Sequence, residues 1–390
     1  MRFTSAALSL VLWGARSSAF GIAKKQRPFL QRSIHALQQQ CIYNYVASSA
    51  RGGALFSTVA TEAEAAPVEI FREDYTPLPF TVSKMEMDFV IYEGKTTVTS
   101  RLTLAKNPAS GASEPLVLDG DETSVTLKSI SMDGKALVEG DDYELQPGKL
   151  VLKEPCEGVL TTVVEIVPED NTQLSGLYKS GNMYCSQMEA MGFRRTTYYP
   201  DRPDNMAMFD KVRIEADAKS YPVLLSNGNL VEQGDLENGR HFAVWSDPFP
   251  KPSYLFAIVA GNLGSIEDKY TTMSGKEVHL EIFSEYKNVD KLQYAMDSLK
   301  RSMKWDEDRF GLEYDLGIYN IVATDDFNMG AMENKGLNIF NTAYVLADEK
   351  TATDTDFERV EGVIGHEYFH NWTGNYHISE ERGEAHAIKG

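Results

Sequence analysis

His366-Glu367-Tyr368-Phe369-His370 is the stretch whose residue types and spacing could do chemistry. Two histidines four apart share one face of a helix, so both imidazoles can turn toward one Zn²⁺. Glu367 lies beside them to take a proton from zinc-bound water. That is the core of a metallopeptidase. The same pattern also arises by chance on histidine-bearing surface helices, so its surroundings have to decide.

The surroundings predict a packed helix. No proline falls between Thr355 and His370, Thr355-Asp356-Phe357-Glu358 has the form of a capping box, and Phe357, Val360, Val363 and Ile364 keep the spacing of a buried stripe. Gly362 and Gly365 cost this helix about 1 kcal/mol each in propensity and suggest another backbone passing close by, with ordinary sequence drift as the equal alternative.

Two further stretches carry chemistry-bearing side chains. Gln187-Met188-Glu189-Ala190 precedes Phe193, Arg194, Arg195, Tyr198 and Tyr199, and Pro200 and Pro203 stiffen the segment beyond. Gly330-Ala331-Met332-Glu333-Asn334 reads as an exposed, glycine-led segment where a peptide can pair with backbone groups; a plain hairpin loop is the alternative.

The elements that must position these residues divide in two. From about Val68 to Asn262 strand follows strand: Met85, Met87, Phe89 and Ile91 alternate with Glu86, Asp88 and Val90, and Val98, Leu102 and Leu104 continue the period of two. Asp119-Gly120, Asp133-Gly134, Pro147-Gly148 and Asn227-Gly228 read as hairpin turns, and Tyr254 to Ala260 as a strand buried on both faces. This predicts a large antiparallel β domain, a sandwich or saddle. Past Leu263 the period becomes helical over Val289 to Asp308, with Leu292, Ala295, Met296, Leu299 and Met303 on one face. Strands are predicted over Ile318 to Ala323 and Leu337 to Asn341. The fold class is therefore α+β, with a β domain over 68–262 and a second domain over 263–375.

Composition narrows the partners. The chain of 390 residues holds 38 Lys+Arg against 57 Asp+Glu, a net charge of −19, which excludes nucleic acid as a partner. Three cysteines, Cys41, Cys156 and Cys185, make no disulfide framework, and Cys156 and Cys185 are read as free thiols of a reducing compartment. No run is long and apolar enough to span a membrane. Residues 1–61 contain no Asp or Glu but do contain Arg2, Arg16, Lys24, Lys25, Arg27, Arg32 and Arg51. They read as a targeting leader. An apolar run from Ala6 to Trp13 ahead of a basic, transit-like stretch points to a plastid, with a mitochondrion as the alternative.

His366 to Asn375 together with Gly330-Ala331-Met332-Glu333-Asn334 resembles the aminopeptidase N family of zinc metallopeptidases, in its bacterial-type alanyl aminopeptidase branch, from about Phe71 to Asn375. The resemblance implies a saddle-shaped β domain followed by the opening part of a thermolysin-like catalytic domain. It implies one Zn²⁺ held by His366 and His370, a general base at Glu367, and peptide substrates with a free N-terminus. Gln187, Glu189 and Glu333 would hold the α-amine, with Gly330, Ala331, Met332 and Asn334 lining the substrate. Such an anchor confines cleavage to the first peptide bond and disfavours a thermolysin-like endopeptidase.

The match breaks after Asn375. The family's third ligand, a glutamate, falls on Lys389, which has no lone pair to offer. His377, Glu380, Glu381, Glu384 and His386 lack the family spacing. Gly374 and His377 each fall one place late for the metzincin pattern. The tail over 376–390 is read as divergent and the chain as a fragment truncated within the catalytic domain. The expectation is weak zinc binding and low or no turnover, with a catalytically inactive peptide-binding or interaction module as the alternative.

Overall fold

The alternation read near the start of the β region closes a long two-stranded ribbon. Phe80–Tyr92 pairs antiparallel with Lys95–Lys106 across a turn at Gly94, whose φ of 72° is one that glycine adopts without strain. Met85, Met87, Phe89, Ile91, Val98, Leu102 and Leu104 all point to the buried face. In the computed structural model, which describes residues 71, 75–110, 115–154 and 157–374, this ribbon is the middle of a nine-stranded sheet. The leader, Cys41, Cys156 and the tail with Lys389 lie outside the described residues. Cys185 is a buried free thiol, pushed up to about 12 by that burial.

The sheet is not wholly antiparallel. Phe80–Tyr92 pairs in parallel with Ala207–Asp217, because the intervening chain makes a long excursion through other strands before returning in the same direction. Of the four expected hairpins, Asp133-Gly134 and Pro147-Gly148 form. Asn227-Gly228 instead carries the chain from a four-stranded sheet into the nine-stranded one, and Asp119 ends a strand and bridges to Tyr199. The apolar run from Tyr254 splits into a 3₁₀ turn, Ser253–Leu255, and a short strand, Ile258–Gly261. The cause is Asn227, whose buried amide bonds Leu255 O and the Ala257 N–H and so takes backbone groups that a strand would have paired.

A five-stranded mixed sheet follows, in the order Gly264–Thr271, Glu277–Ser284, Ile318–Thr324, Leu337–Asn341 and, at the edge, Ala331–Met332. Its strands Ile318–Thr324 and Leu337–Asn341 are buried on both faces. Ile282, Ile321, Ala323 and Phe340 join the core beneath the helices, while Val322, Leu337, Ile339 and Met332 join the core of the β layers. Thus the segment 330–334, expected to be exposed, is largely covered: Met332 is 0% and Asn334 1% exposed. The described residues from Tyr75 onward belong to one compact unit, and none of its helices is long and apolar enough to cross a membrane.

Helix α1, Gln293–Phe310, starts later than its periodicity predicts because a 3₁₀ turn over Tyr286–Lys291 precedes it. Helix α2, Asp354–Phe369, carries the motif and starts earlier. Its capping box is Thr353 with Asp356 rather than Thr355 with Glu358. Val360, Ile364 and Tyr368 form its buried stripe. No backbone crosses its glycines: a Cβ on Gly362 would meet nothing within 4 Å, and one on Gly365 only the Ser302 Oγ of α1.

Asp306 on α1 is 2% exposed, and burial raises its carboxyl to about 6, with the Trp372 indole beside it offsetting part of the rise. The folded protein therefore binds this proton more tightly than the unfolded chain does. The resulting stability is complete below pH 4 and is lost as pH rises through about 6. Asp306→Asn is expected to raise the melting temperature relative to the parent at pH 8 and to leave the two equal at pH 4, a difference on the order of 1 kcal/mol after solvent screening. Equal melting-temperature differences at both pH values would remove titration as the cause.

Candidate active site

The end of α2 brings the two histidines together. Their Nε2 atoms are 3.1 Å apart, and the His370 Nδ1–H donates to Thr373 O at 2.8 Å. Because a carbonyl only accepts, this bond fixes the tautomer and leaves the His370 Nε2 lone pair facing His366. Burial, followed by the neighbouring His370, holds the His366 imidazole below its usual value and so favours its neutral form.

Two nitrogens on one tetrahedral Zn²⁺ at about 2.0–2.1 Å stand about 3.3 Å apart. The observed pair matches that separation without rearrangement, so the donor set fits a zinc ion. Among the described residues, ligand atoms of Glu333, Glu367 and His370 also lie within 4.8 Å of one another.

Glu367 faces into the protein at 6% exposure, and its carboxyl is pushed up to about 8, by burial first and then by the negative charges of Glu333 and Glu189. The same two carboxylates act on the Tyr254 hydroxyl, which burial above all keeps protonated. Glu189, from the turn after the strand Met183–Gln187, and Glu333, just past the edge strand Ala331–Met332, thus both come close enough to act on Glu367. Tyr254 belongs to this site although its sequence position marks only the start of an apolar run.

Gln187 closes the strand Met183–Gln187 and is 3% exposed. Its Nε2 donates to Met329 Sδ at 3.0 Å and approaches Met332 Sδ at 3.8 Å, so it touches the 330–334 segment directly. Arg194 and Arg195 serve the loop rather than the site, through Asp201 at 3.0 Å and Asp121 at 3.3 Å.

Of the two backbone positions expected to line the substrate, Gly330 is already committed, since its carbonyl accepts from Asn341 N–H at 2.9 Å. Strand alternation then turns the N–H and C=O of Ala331 toward the open edge of the sheet, where an extended peptide can pair. The Asn334 side chain is buried behind that edge. A groove of about 500 Å³ between α1 and α2, lined by Arg301, Trp305, Asp306, Glu361, Gly365 and Phe369, contains none of the converging side chains.

Comparison with known proteins places this geometry. Residues 82–255 match the peptidase M1 N-terminal domain, and residues 294–381 match the peptidase family M1 domain. The chain is similar to aminopeptidase N of Caulobacter vibrioides, 53% identical over 310 residues, 79% of this chain and 35% of that protein. It is likewise similar to aminopeptidase N of Escherichia coli, 51% identical over 310 residues and the same shares. Among solved structures it resembles Legionella pneumophila aminopeptidase A in complex with aspartic acid. There the TM-score is 0.74 and the identity 38%, covering 78% of this chain and 35% of that one. The chain thus spans about a third of the length of these relatives. Gln187 and Glu189 lie inside the first matched segment and Glu333 with the histidines inside the second, and the chain belongs to peptidase family M1.

Proposed function

We propose that this site binds the free amino end of a peptide and cleaves the first peptide bond, as part of a zinc aminopeptidase. The observation that carries the reading is the convergence of Glu189 and Glu333 on Glu367, beside a histidine pair spaced for one ion. An ammonium of charge +1 between those carboxylates offsets their mutual repulsion and holds the scissile carbonyl at a fixed distance from the histidines.

His366 and His370 would hold a Zn²⁺, which would supply Lewis acidity to water and to that carbonyl. A bound ammonium and cation would offset the burial and the negative charges that raise the Glu367 carboxyl, and the ionised Glu367 would then take a proton from water and deliver it to the leaving amine. Gln187 supports the amine anchor from the β domain, and the Ala331 edge keeps the peptide extended. Lys389, where the family has its third ligand, lowers zinc affinity and turnover in this chain below those of a three-ligand site. We place the boundary between the β and peptidase domains at 262/263. The acid-free leader supports delivery to an organelle, a plastid before a mitochondrion.

The test compares a hexapeptide bearing a free N-terminus with its N-acetylated twin on the zinc-loaded chain, by calorimetry and by product analysis. The free peptide is expected to bind at least about tenfold more tightly, and Glu189→Gln with Glu333→Gln to erase the difference. Equal affinity for the two peptides would sink the reading, and cleavage of the acetylated one would make the site an endopeptidase. Because of Lys389, selective binding without any release of the first residue would favour the peptide-binding module.

A further inference from the structure

Two residues after Glu333, the side chain of Lys335 is 3% exposed and reaches three groups at once. Its Nζ lies 2.5 Å from Asp315 Oδ2, 3.4 Å from Asn371 Oδ1 and 4.2 Å from the centroid of the Phe249 ring. Asp315 by itself neutralises the ammonium, and the Phe249 face adds a cation–π contact. Asn371 is not needed for charge, so what that contact supplies is direction.

The residue is tied from its backbone as well. Its carbonyl accepts from Asn227 Nδ2 at 2.9 Å, and the second N–H of that amide donates to Leu255 O at 3.0 Å. Gly336, next in the chain, has a φ of 76° and packs so that a Cβ would stand 3.3 Å from Gly228 N. Lys335 therefore has its main chain fixed to the β domain and its ammonium held between Asp315 and the Asn371 side chain just past the end of α2.

Asn371 directly follows His370, and its N–H donates to Tyr368 O at 3.0 Å. The path from Glu333 through Asn334 and Lys335, across to Asn371 and back to His370, is a short run of covalent bonds and one hydrogen bond. We infer that Lys335 is a positioning residue that sets the separation between the Glu333 carboxylate and the His370 imidazole by holding Asn371. The purpose of that separation rests on the proposed function; the mechanical tie does not.

The test measures two quantities on the full chain: Zn²⁺ affinity by chelator competition, and amide exchange of residues 369–373. Lys335→Met is expected to weaken Zn²⁺ binding about 10–100-fold, the usual effect of losing a group that orients a ligand. Asn371→Ala should do the same, and the double variant little more than either, since one contact is being removed. Exchange at 369–373 should quicken about tenfold while the middle of α2 keeps its protection. Arg240→Met breaks a half-buried ion pair of 2.8 Å with Glu215 inside the nine-stranded sheet, and should lower the melting temperature while leaving Zn²⁺ affinity within about threefold.

Should Lys335→Met not fold, Asn371→Ala carries the test with the Lys335–Asp315 pair intact. The inference is overturned if exchange at 369–373 is unchanged in the Asn371 variant, or if Arg240→Met weakens Zn²⁺ binding as much as Lys335→Met. A parent chain that takes up no zinc would count against the proposed function alone, and the exchange data would still decide this tie.

Discussion

His370→Ala is expected to lower Zn²⁺ affinity on the order of 10²–10³-fold, since a structural zinc site spreads roughly 10–16 kcal/mol over its ligands. The substitution removes the nitrogen that stands 3.1 Å from His366 and also the bond to Thr373 that orients the ring. His366→Ala should fall equally, because either histidine alone presents one donor. Glu367→Gln should stay within about tenfold of the parent, as its side chain neighbours the ion without being one of the proposed ligands. Competition with a chromophoric chelator at pH 7.5 reads all three. The carboxylates offer a rival arrangement, since Glu333, Glu367 and His370 also cluster. If Glu333→Gln or Glu367→Gln matches the loss at His370 while His366→Ala has little effect, that carboxylate set holds the metal and the histidine-pair assignment is wrong.

The largest expected change in stability comes from Gly228. Its φ is 83°, and a Cβ there would lie 2.2 Å from Ser246 O and 2.6 Å from Asp247 Cα, both backbone atoms that cannot step aside. Gly228→Ala is therefore expected to cost about 4 kcal/mol and, at about 2–4 °C per kcal/mol for a chain of this size, to lower the melting temperature by about 10 °C. Gly94→Ala is the control. It has a similar φ of 72° and open space around it, so it should lose only about 1 kcal/mol. Equal losses in the two variants would show that backbone strain rather than collision governs the corner. The neighbouring Asn227 holds the Lys335 carbonyl, so displacement at Gly228 should also quicken amide exchange in the 330–336 segment.

Local rules written along the chain were legible before any coordinates. The alternation of Met85, Met87, Phe89 and Ile91, the helical stripe of Leu292 to Met303, and the strand Leu337–Asn341 each depend on neighbours a few residues away. So does the histidine spacing. The rest depends on long-range partners. Nothing near Asn227 announces that its amide will take the bonds of Leu255 and Ala257 and dissolve half of an apolar strand. The parallel pairing of Phe80–Tyr92 with Ala207–Asp217 reflects an excursion whose return direction no local pattern encodes. Segment 330–334 read as exposed because glycine and glutamate bracket it. Its burial follows from sheet strands covered on both faces, a property of the whole packing. Lys335 and Asn371 looked like ordinary polar residues for the same reason.

The carboxylates that meet beside Glu367 are drawn from opposite halves of the chain, Glu189 from the β layers and Glu333 from the later sheet. Synthesis is vectorial, and the β layers leave the ribosome first. On the proposed reading, a half-made chain carries one jaw of the amine clamp and neither His366 nor His370. On that reading amine recognition stays latent during synthesis, because the second jaw exists only once the later sheet has condensed.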